Sequence, residues 1–227
     1  MLITDDDPAA AIPAEASFGR VVRHRFRLPG NLRKSEILDL LPRDYDSFLL
    51  LDADTRILMD ISLGFEKAER FGIAAVMAPA YGLEHYFGFG ERVLEGRRFH
   101  SRETMQYNSG VIFFSRKPRV WRVLRRWQAL CSAEAQAPRW GREGDQPFLT
   151  LAMEEAGFNP YGLSPSYNYR NFGELAHGHI RIWHSHVPPP PDLNSNVGRQ
   201  PFRRFARSTA YPAMFPSMSR NAADRAD

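Results

Sequence analysis

Segments typical of β-strands alternate along this chain with segments typical of α-helices, and this alternation restricts the fold more than any other feature. Apolar, strand-like runs occupy 48–51, 73–77, 107–114 and 180–184. Helical spacing of apolar residues predicts helices over 33–41, 63–71, 118–135 and 145–156. The order predicts an α/β domain whose sheet is mixed, mostly parallel and flanked by helices. No repeat of fixed period is visible, which excludes solenoid and propeller folds.

One globular domain accounts for most of the 227 residues, of which 43% are hydrophobic and 25% charged. The composition changes after His186, where the prolines 188–191 introduce a segment rich in Arg, Ser, Asn and Pro. Such a composition is typical of an extended segment. We therefore predict a single domain over residues 1–186 and a Pro- and Arg-rich tail over 187–227.

The apolar runs are shorter than the roughly 20 residues that a membrane-spanning helix needs. The first residues, MLITDDDPAA, carry acids where a signal peptide carries basic residues. These two features predict a cytoplasmic protein without stable membrane insertion. Cys131 is the single cysteine, which excludes an internal disulfide and a cysteine-based zinc cluster.

The chain has 30 basic and 26 acidic residues, and this formal net charge of +4 allows a weak attraction to phosphates, nucleic acid or acidic lipid. Three arginines, Arg119, Arg122 and Arg126, lie on the side of the predicted helix 118–135 that is opposite its apolar residues. We interpret them as a solvated face, because no aromatic interleaving or binding motif accompanies them. Nucleic acid is therefore not a predicted partner.

The acidic pair Asp52 and Asp54 follows the buried run Phe48 to Leu51 directly. Open α/β sheets place ligands at the carboxyl ends of their strands. Two carboxylates at the tip of an apolar strand are costly unless a cation or hydrogen-bond donors neutralise them. Mg²⁺ or Mn²⁺ takes oxygen ligands and keeps positions open for substrate phosphates. We therefore predict a metal site for a phosphate-bearing substrate, with capping of a turn or helix by Asp54 as the alternative.

Four histidines, His177, His179, His184 and His186, lie within ten residues near the end of the predicted domain. His184 and His186 are two residues apart on a predicted strand and face the same side, so both could join the acidic pair around a metal, zinc included. We favour His184 as a ligand because of its position in the strand. His186 stays open, and the other two are assigned to a loop.

The spacing around the acidic pair separates two enzyme classes that carry Asp-x-Asp at a strand end. Haloacid-dehalogenase-like phosphatases have the pattern DxDxT, but here Thr55 comes one place early and Arg56 occupies the threonine position. The sequence FLLLDADT, Phe48 to Thr55, instead resembles the motif of GT-A glycosyltransferases. In that family the Asp-x-Asp binds a metal that bridges the diphosphate of a nucleotide sugar.

Further segments resemble the same family in its order, particularly its family 8-like branch. Lys34 lies in the helix before the motif, and Tyr107 to Val111 (YNSGV) is similar to the family's Asn-(Ala/Ser)-Gly-Val strand. The dipeptide at 145–146 (DQ) resembles the family's Asp-Gln at a helix start, and 182–184 (IWH) its last strand with the metal-binding histidine. Asn168 lies in a segment similar to a family loop near the acceptor. Several weak motifs in the right order are more specific than any one alone.

The resemblance implies a GT-A-like, Rossmann-like fold and a metal-dependent glycosyltransferase that uses Mn²⁺ or Mg²⁺. The expected donor is a UDP-sugar, the acceptor is an unidentified glycan, protein or small molecule, and transfer is expected to retain the anomeric configuration. The residues that it assigns fall into three groups: Asp52, Asp54 and His184 for the metal; Lys34, Ala53, Ser109 and Gly110, with both acids, for the donor; Asp145 and Asn108 for the transferred sugar.

Two departures from the family accompany this likeness. The family's His-x-x-Gly-x-x-Lys-Pro-Trp ending has no counterpart after His184, and Leu2 to Asp6 resembles the family's second strand, so its first strand-helix unit is expected to be missing. A non-catalytic or degenerate domain that binds a nucleotide sugar or a sugar, and a metal-dependent phosphohydrolase, are the alternatives. Asp145 could also serve only as a helix N-cap, and Asn108 could satisfy a turn.

Overall fold

The computed structural model describes residues 1–5, 18–82, 104–136, 144–170, 175–176, 178–195 and 203–204. The strands are β1 (Leu2–Asp5), β2 (Val21–His24), β3 (Ser47–Leu51), β4 (Thr55–Ile57), β5 (Ile73–Gly82), β6 (Met105–Ser115), β7 (Tyr161–Leu163), β8 (Leu175–Ala176), β9 (Ile182–His184) and β10 (Arg203–Arg204). The α-helices are α1 (Ser62–Phe71), α2 (Pro118–Ala135) and α3 (Gln146–Glu155). Within the described ranges, 3₁₀ helices span Gly30–Leu40 and Pro165–Tyr167.

In the part of the chain that the structure describes, the central sheet has four strands in the order β3-β6-β5-β7. Strand β6 runs antiparallel to both of its neighbours, and β7 runs parallel to β5. The predicted mixed α/β class is confirmed, but the strands of this sheet are not mostly parallel. The prediction was wrong on this point because an apolar run indicates that a strand is covered on both faces and does not indicate its direction.

Both faces of the central sheet are covered. Successive side chains of a strand point to opposite faces, and those of β6 enter two different cores. Ile112 and Phe114 of β6 belong to a core with α2, α3 and the first 3₁₀ helix. Val111 and Phe113 belong to a second core on the side of α1. Helix α1 approaches this side closely at Gly64, where an added Cβ would lie 2.5 Å from the Phe113 ring. The site therefore stands on a sheet held from both sides.

The first predicted helix is confirmed as a helix but has 3₁₀ geometry over Gly30–Leu40. Its buried residues include Leu32, Ser35 and Leu38, whose spacing of three matches the 3₁₀ repeat. Glu36 is also buried, and its carboxylate accepts the backbone N–H groups of the segment just before the helix. This packing fixes the helix that carries Lys34.

A third, smaller core packs beside β9 and contains Tyr169, Ile180, Trp183 and Leu193. Leu193 is 3% exposed, so the described start of the predicted tail contacts the rest of the domain. Of the predicted irregular stretch Pro79 to Met105, the first residues extend β5 and the last begins β6. Residues 83–103 of that stretch, His177 and most of the tail lie outside the described residues.

The arginines predicted to form a solvated face of α2 join this helix to its neighbours in two cases. Arg126 forms an ion pair with Glu155 of α3, and Arg119 donates to the carbonyl of Phe71 at 2.6 Å. None of the helices in the described ranges is long and apolar enough to cross a membrane.

Candidate metal centre

The acidic pair occupies a tight turn between β3 and β4. The backbone N–H of Asp52 donates to the carbonyl of Gly110 at 2.8 Å, so its backbone continues the pairing of β3 with β6. Thr55 closes the turn, because its N–H and its hydroxyl both donate to the Asp52 carbonyl, at 3.1 and 2.7 Å. The Asp54 carboxylate instead faces two histidines. The capping alternative for Asp54 is therefore not what this turn uses.

His184 reaches the acidic pair from β9, which pairs with β4 so that Thr55 lies opposite His184. Its Nε2 atom lies 3.2 Å from Asp54 Oδ1 and 3.7 Å from Asp52 Oδ2. One ligand atom from each of the three residues lies within 4.8 Å of the other two. The structure thus brings together the three residues predicted to bind metal, in a group that is compatible with one ion.

Two other histidines of the predicted cluster, His179 and His186, lie outside this group. His186 Nε2 is 3.6 Å from Asp54 Oδ2, and its side chain is 77% exposed. His179 is exposed on the loop before β9. Of the two histidines on the predicted strand, His184 is the one whose ring lies among both carboxylates.

The oxygen and nitrogen atoms that Asp52, Asp54 and His184 offer suit a divalent cation. Burial is the main cause that lowers the pKa of His184 below its usual value, and it outweighs the opposing effects of Asp54 and Asp52. A neutral imidazole therefore lies beside two carboxylates, and a cation between the three groups would compensate the charge of the carboxylates and accept a ring nitrogen as ligand. Two carboxylate oxygens and one imidazole nitrogen fit Mn²⁺ and leave positions for other ligands.

Lys34 lies on the far side of Asp52 and joins it to Asp145. Its Nζ atom is 2.9 Å from Asp52 Oδ1, 3.1 Å from Asp145 Oδ1 and 3.3 Å from Ser109 Oγ. Burial alone lowers the pKa of Lys34, but the carboxylates of Asp145 and Asp52 outweigh it and hold this pKa above its usual range. Lys34 therefore keeps its positive charge inside the site.

Asp145 is buried at the start of α3. Its carboxylate makes no capping hydrogen bond to α3 within the described chain, so the N-cap alternative does not describe its side chain. Burial is the main cause that raises the pKa of Asp145, and Lys34 opposes this shift. Its Oδ2 atom has no hydrogen-bond partner among the described residues. A buried acceptor without a donor is costly, which makes it a candidate contact for a ligand hydroxyl.

The segment Asn108 to Gly110 of β6 lines the site next to Asp52 and His184. Asn108 Oδ1 accepts the Gly110 N–H at 2.8 Å and the side-chain amide of Asn168 at 2.6 Å. Asn108 thus accepts from a backbone donor within strand β6, not within a turn, and it also contacts a second segment. An added Cβ at Gly110 would collide with the His184 ring and lie 2.7 Å from Asp52 Oδ2. The glycine leaves space for the side chains of Asp52 and His184.

An open cleft of about 290 Å³ adjoins the acidic pair. It is lined by Ala53, Asp54, Thr55, Arg56, Ser185 and His186. Sequence reasoning used Arg56 only to reject the phosphatase pattern and missed that this exposed residue lines the cleft. Its position directly after the Asp-x-Asp turn was the available signal.

Two further residues near His184 were missed or only partly foreseen. Asn168 Oδ1 lies 2.7 Å from His184 Nδ1, whereas sequence reasoning placed Asn168 near an acceptor. Arg170 is 8% exposed, and its positive charge contributes to the lowered pKa of His184. Arg170 follows Asn168 by two residues, and this proximity in the sequence was the available signal.

No protein-family model matches this chain, and a comparison with curated proteins finds no match. Among solved structures, the chain is similar to the crystal structure of mouse xyloside xylosyltransferase 1 in its apo form. The two share 16% sequence identity over 75% of this chain and 77% of that chain, with a TM-score of 0.48.

Proposed function

We propose that this protein is a metal-dependent glycosyltransferase that moves a sugar from a nucleoside diphosphate donor, with a UDP-sugar as the expected donor, to an acceptor hydroxyl. The observation that carries the proposal is the convergence of Asp52, Asp54 and His184 at the end of β3, within 4.8 Å of one another. This is the edge of the sheet where the motif FLLLDADT predicts the donor diphosphate.

Asp52, Asp54 and His184 would hold Mn²⁺ or Mg²⁺. The bound ion would neutralise the negative charge that develops on the leaving diphosphate. Lys34 supplies a second positive charge beside Asp52, 2.9 Å from its Oδ1 atom. Because its pKa is raised, Lys34 stays charged throughout the physiological pH range. We assign Ala53, Ser109 and Gly110 to the same donor site, since they flank these ligands.

Asp145 and Asn108 would orient the transferred sugar. The Oδ2 atom of Asp145, which is buried and unpartnered among the described residues, can accept a sugar hydroxyl. Asn108 already uses its Oδ1 atom for two donors, so its Nδ2 group is the part that it can offer to a sugar oxygen. A retaining transfer needs no dedicated general base, and these residues would act chiefly by positioning donor and acceptor.

Calorimetric titration of UDP tests the donor site, with Mn²⁺ and with chelator, on the wild type and on Asp52→Ala combined with Asp54→Ala. A matched control is Asp44→Ala with Asp46→Ala, which removes an exposed pair of the same spacing at the other end of β3. We expect metal-dependent binding that the first double variant loses and the control keeps. Failure of UDP, ADP and GDP to bind under any condition would contradict the proposal.

A second assay separates transfer from the two alternatives. The wild type is incubated with Mn²⁺ and a panel of UDP-sugars, and release of UDP is followed with and without candidate acceptor sugars. We expect UDP release that depends on Mn²⁺ and increases with an acceptor. Nucleotide binding without release would instead indicate a binding domain, and release of phosphate from p-nitrophenyl phosphate would indicate a phosphohydrolase.

A further inference from the structure

A chain of side-chain hydrogen bonds runs from the backbone of β6 to the ring of His184. The Gly110 N–H lies 2.8 Å from Asn108 Oδ1, which lies 2.6 Å from Asn168 Nδ2. On its other side, the Asn168 amide lies 2.7 Å from His184 Nδ1. Asn108 and Asn168 are 6% and 1% exposed, so water does not compete freely for these bonds.

The direction of every bond in this chain follows from its first member. A backbone N–H can only donate, so the Asn108 atom facing Gly110 is the carbonyl oxygen. The Asn168 atom that contacts this oxygen must then be the amide nitrogen, which turns the Asn168 oxygen toward His184. An oxygen that accepts needs a donor opposite it. The proton of a neutral His184 therefore resides on Nδ1.

The backbone holds Asn168 in this place. The segment after the second 3₁₀ helix runs beside β9 as a parallel bridge between Tyr169 and Trp183. The Tyr169 N–H donates to Ile182, and the His184 N–H donates back to the Tyr169 carbonyl, both at 2.9 Å. The rings of Tyr169 and Trp183 are stacked with centroids 5.7 Å apart. These backbone hydrogen bonds and the stacked rings hold Asn168 and His184 next to each other.

We propose that Asn168 is a positioning residue of the metal centre, which holds His184 as the Nδ1–H tautomer and so directs the Nε2 lone pair at Asp52 and Asp54. The opposite tautomer would place an N–H on Nε2, 3.2 Å from Asp54 Oδ1. This N–H would donate to the carboxylate, and Nε2 would then have no lone pair for a metal. Asn168 selects the form that can ligate. The effect on metal affinity rests on the proposed function; the tautomer does not.

The tautomer is measured on the wild type without metal. A long-range ¹H–¹⁵N correlation spectrum of the labelled protein at about pH 8, above the ordinary histidine pKa, shows which ring nitrogen carries the proton. His184→Gln assigns the signal. We expect protonation at Nδ1 and a free Nε2. A proton on Nε2 would overturn the proposal, and this result needs no variant of Asn168 to fold.

Metal affinity is measured with Mn²⁺ alone, by calorimetry, on the wild type and three variants. Asn168→Ala removes the acceptor for Nδ1, and we expect a loss of about 10–100-fold in Mn²⁺ affinity. Asn168→Asp keeps an acceptor oxygen and is expected to keep the Nδ1–H signal. Asn194→Ala is the matched control, because Asn194 also bonds the chain beside β9, through both backbone groups of Ile180, without touching His184.

The outcomes separate this inference from the function on which its second part rests. If the wild type binds no Mn²⁺, the proposed metal centre fails, and the tautomer spectrum still decides the role of Asn168. If the wild type binds and a folded Asn168→Ala variant binds equally well, the positioning role is wrong. An equal loss in Asn194→Ala would also contradict it, because the loss would then reflect general disturbance of β9.

Discussion

Thr55 lies directly opposite His184 in the antiparallel pairing of β4 with β9. Thr55 also closes the turn that follows β3, through two hydrogen bonds to the Asp52 carbonyl. Thr55 therefore shapes the acidic turn and also lies in the strand whose pairing fixes the register of the strand that carries His184. A slip of one position would turn His184 to the other face, away from both carboxylates.

Replacing each of the two histidines beside the acidic pair tests which of them binds the metal. We expect His184→Ala to weaken Mn²⁺ binding by at least about tenfold, because it removes a nitrogen aimed at both carboxylates. His186→Ala is the control, since that ring is mostly exposed and lies near Asp54 alone. Calorimetry with Mn²⁺ measures both. A larger loss for His186→Ala would mean that His186 is the ligand.

Gly110→Ala tests the space that the glycine gives to the site. The new Cβ would strike the His184 ring and lie 2.7 Å from Asp52 Oδ2, so we expect Mn²⁺ binding to fall sharply and stability to fall by about 1–3 kcal/mol. Gly162→Ala in β7 is the matched control, because its Cβ meets nothing within 4 Å among the described residues. Calorimetry and urea unfolding measure the two effects. Unchanged metal binding in Gly110→Ala would show that the ligands can move apart.

The elements with long apolar patterns could be predicted from the sequence, and so could the chemistry at their ends. Helix α2 spans Pro118–Ala135 as predicted, because its apolar residues recur at helical spacing and Pro118 suits a first turn. The acidic pair and His184 were foreseen because the order of short motifs fits one kind of site. Both predictions rest on information that neighbouring residues carry.

What the sequence could not predict depends on partners distant in the chain. Strand β4 is short and mostly exposed, so no hydrophobic pattern marks it, yet it sets the register of His184. The contact of Asn168 with His184 depends on the bridge between Tyr169 and Trp183. Lys34 was expected to face donor phosphates, and its buried pairing with Asp145 became visible only when the helices were packed.

The buried carboxylate of Glu36 predicts a specific dependence of stability on pH. Burial alone raises the pKa of Glu36, but the N–H groups of Leu28 and Arg27 outweigh it and hold this pKa below the usual value. A depressed carboxylate pKa stabilises the fold above the unfolded value, and this stability is lost as the pH falls through the folded value. We expect the free energy of unfolding to decrease from about pH 5 downward.

Glu36→Gln isolates this contribution. At pH 7 we expect a loss of about 1–3 kcal/mol, because a charged acceptor of two backbone N–H groups becomes neutral. The difference from the wild type should shrink as the pH falls, because protonation then removes the same charge from the wild type. Urea unfolding at pH values between 3 and 7, about one pH unit apart, measures this difference in stability. Glu66→Gln, an exposed partner of Lys67, is the control, and a difference that stays constant with pH would contradict the assignment.

Lys34→Met tests how far the buried ion pair supports the fold. Removing the ammonium leaves Asp145, which is 2% exposed, beside Asp52 without its compensating charge. Breaking a buried pair on one side costs about 3–5 kcal/mol, because the remaining charge stays desolvated. The partial exposure of Lys34 favours the lower end of that range. Lys67→Met is the matched control, since Lys67 pairs with a largely exposed glutamate, and we expect a loss below about 1 kcal/mol.

A double-mutant cycle shows whether this cost comes from the stranded carboxylate. Asp145→Asn added to Lys34→Met removes the uncompensated charge, so we expect the double variant to regain much of the stability lost by Lys34→Met alone. Urea unfolding of the wild type, both single variants and the double variant gives the coupling energy. Simple additivity of the two losses would mean that Lys34 stabilises the domain through packing of its side chain, and that the charge of Asp145 is neutralised by another group.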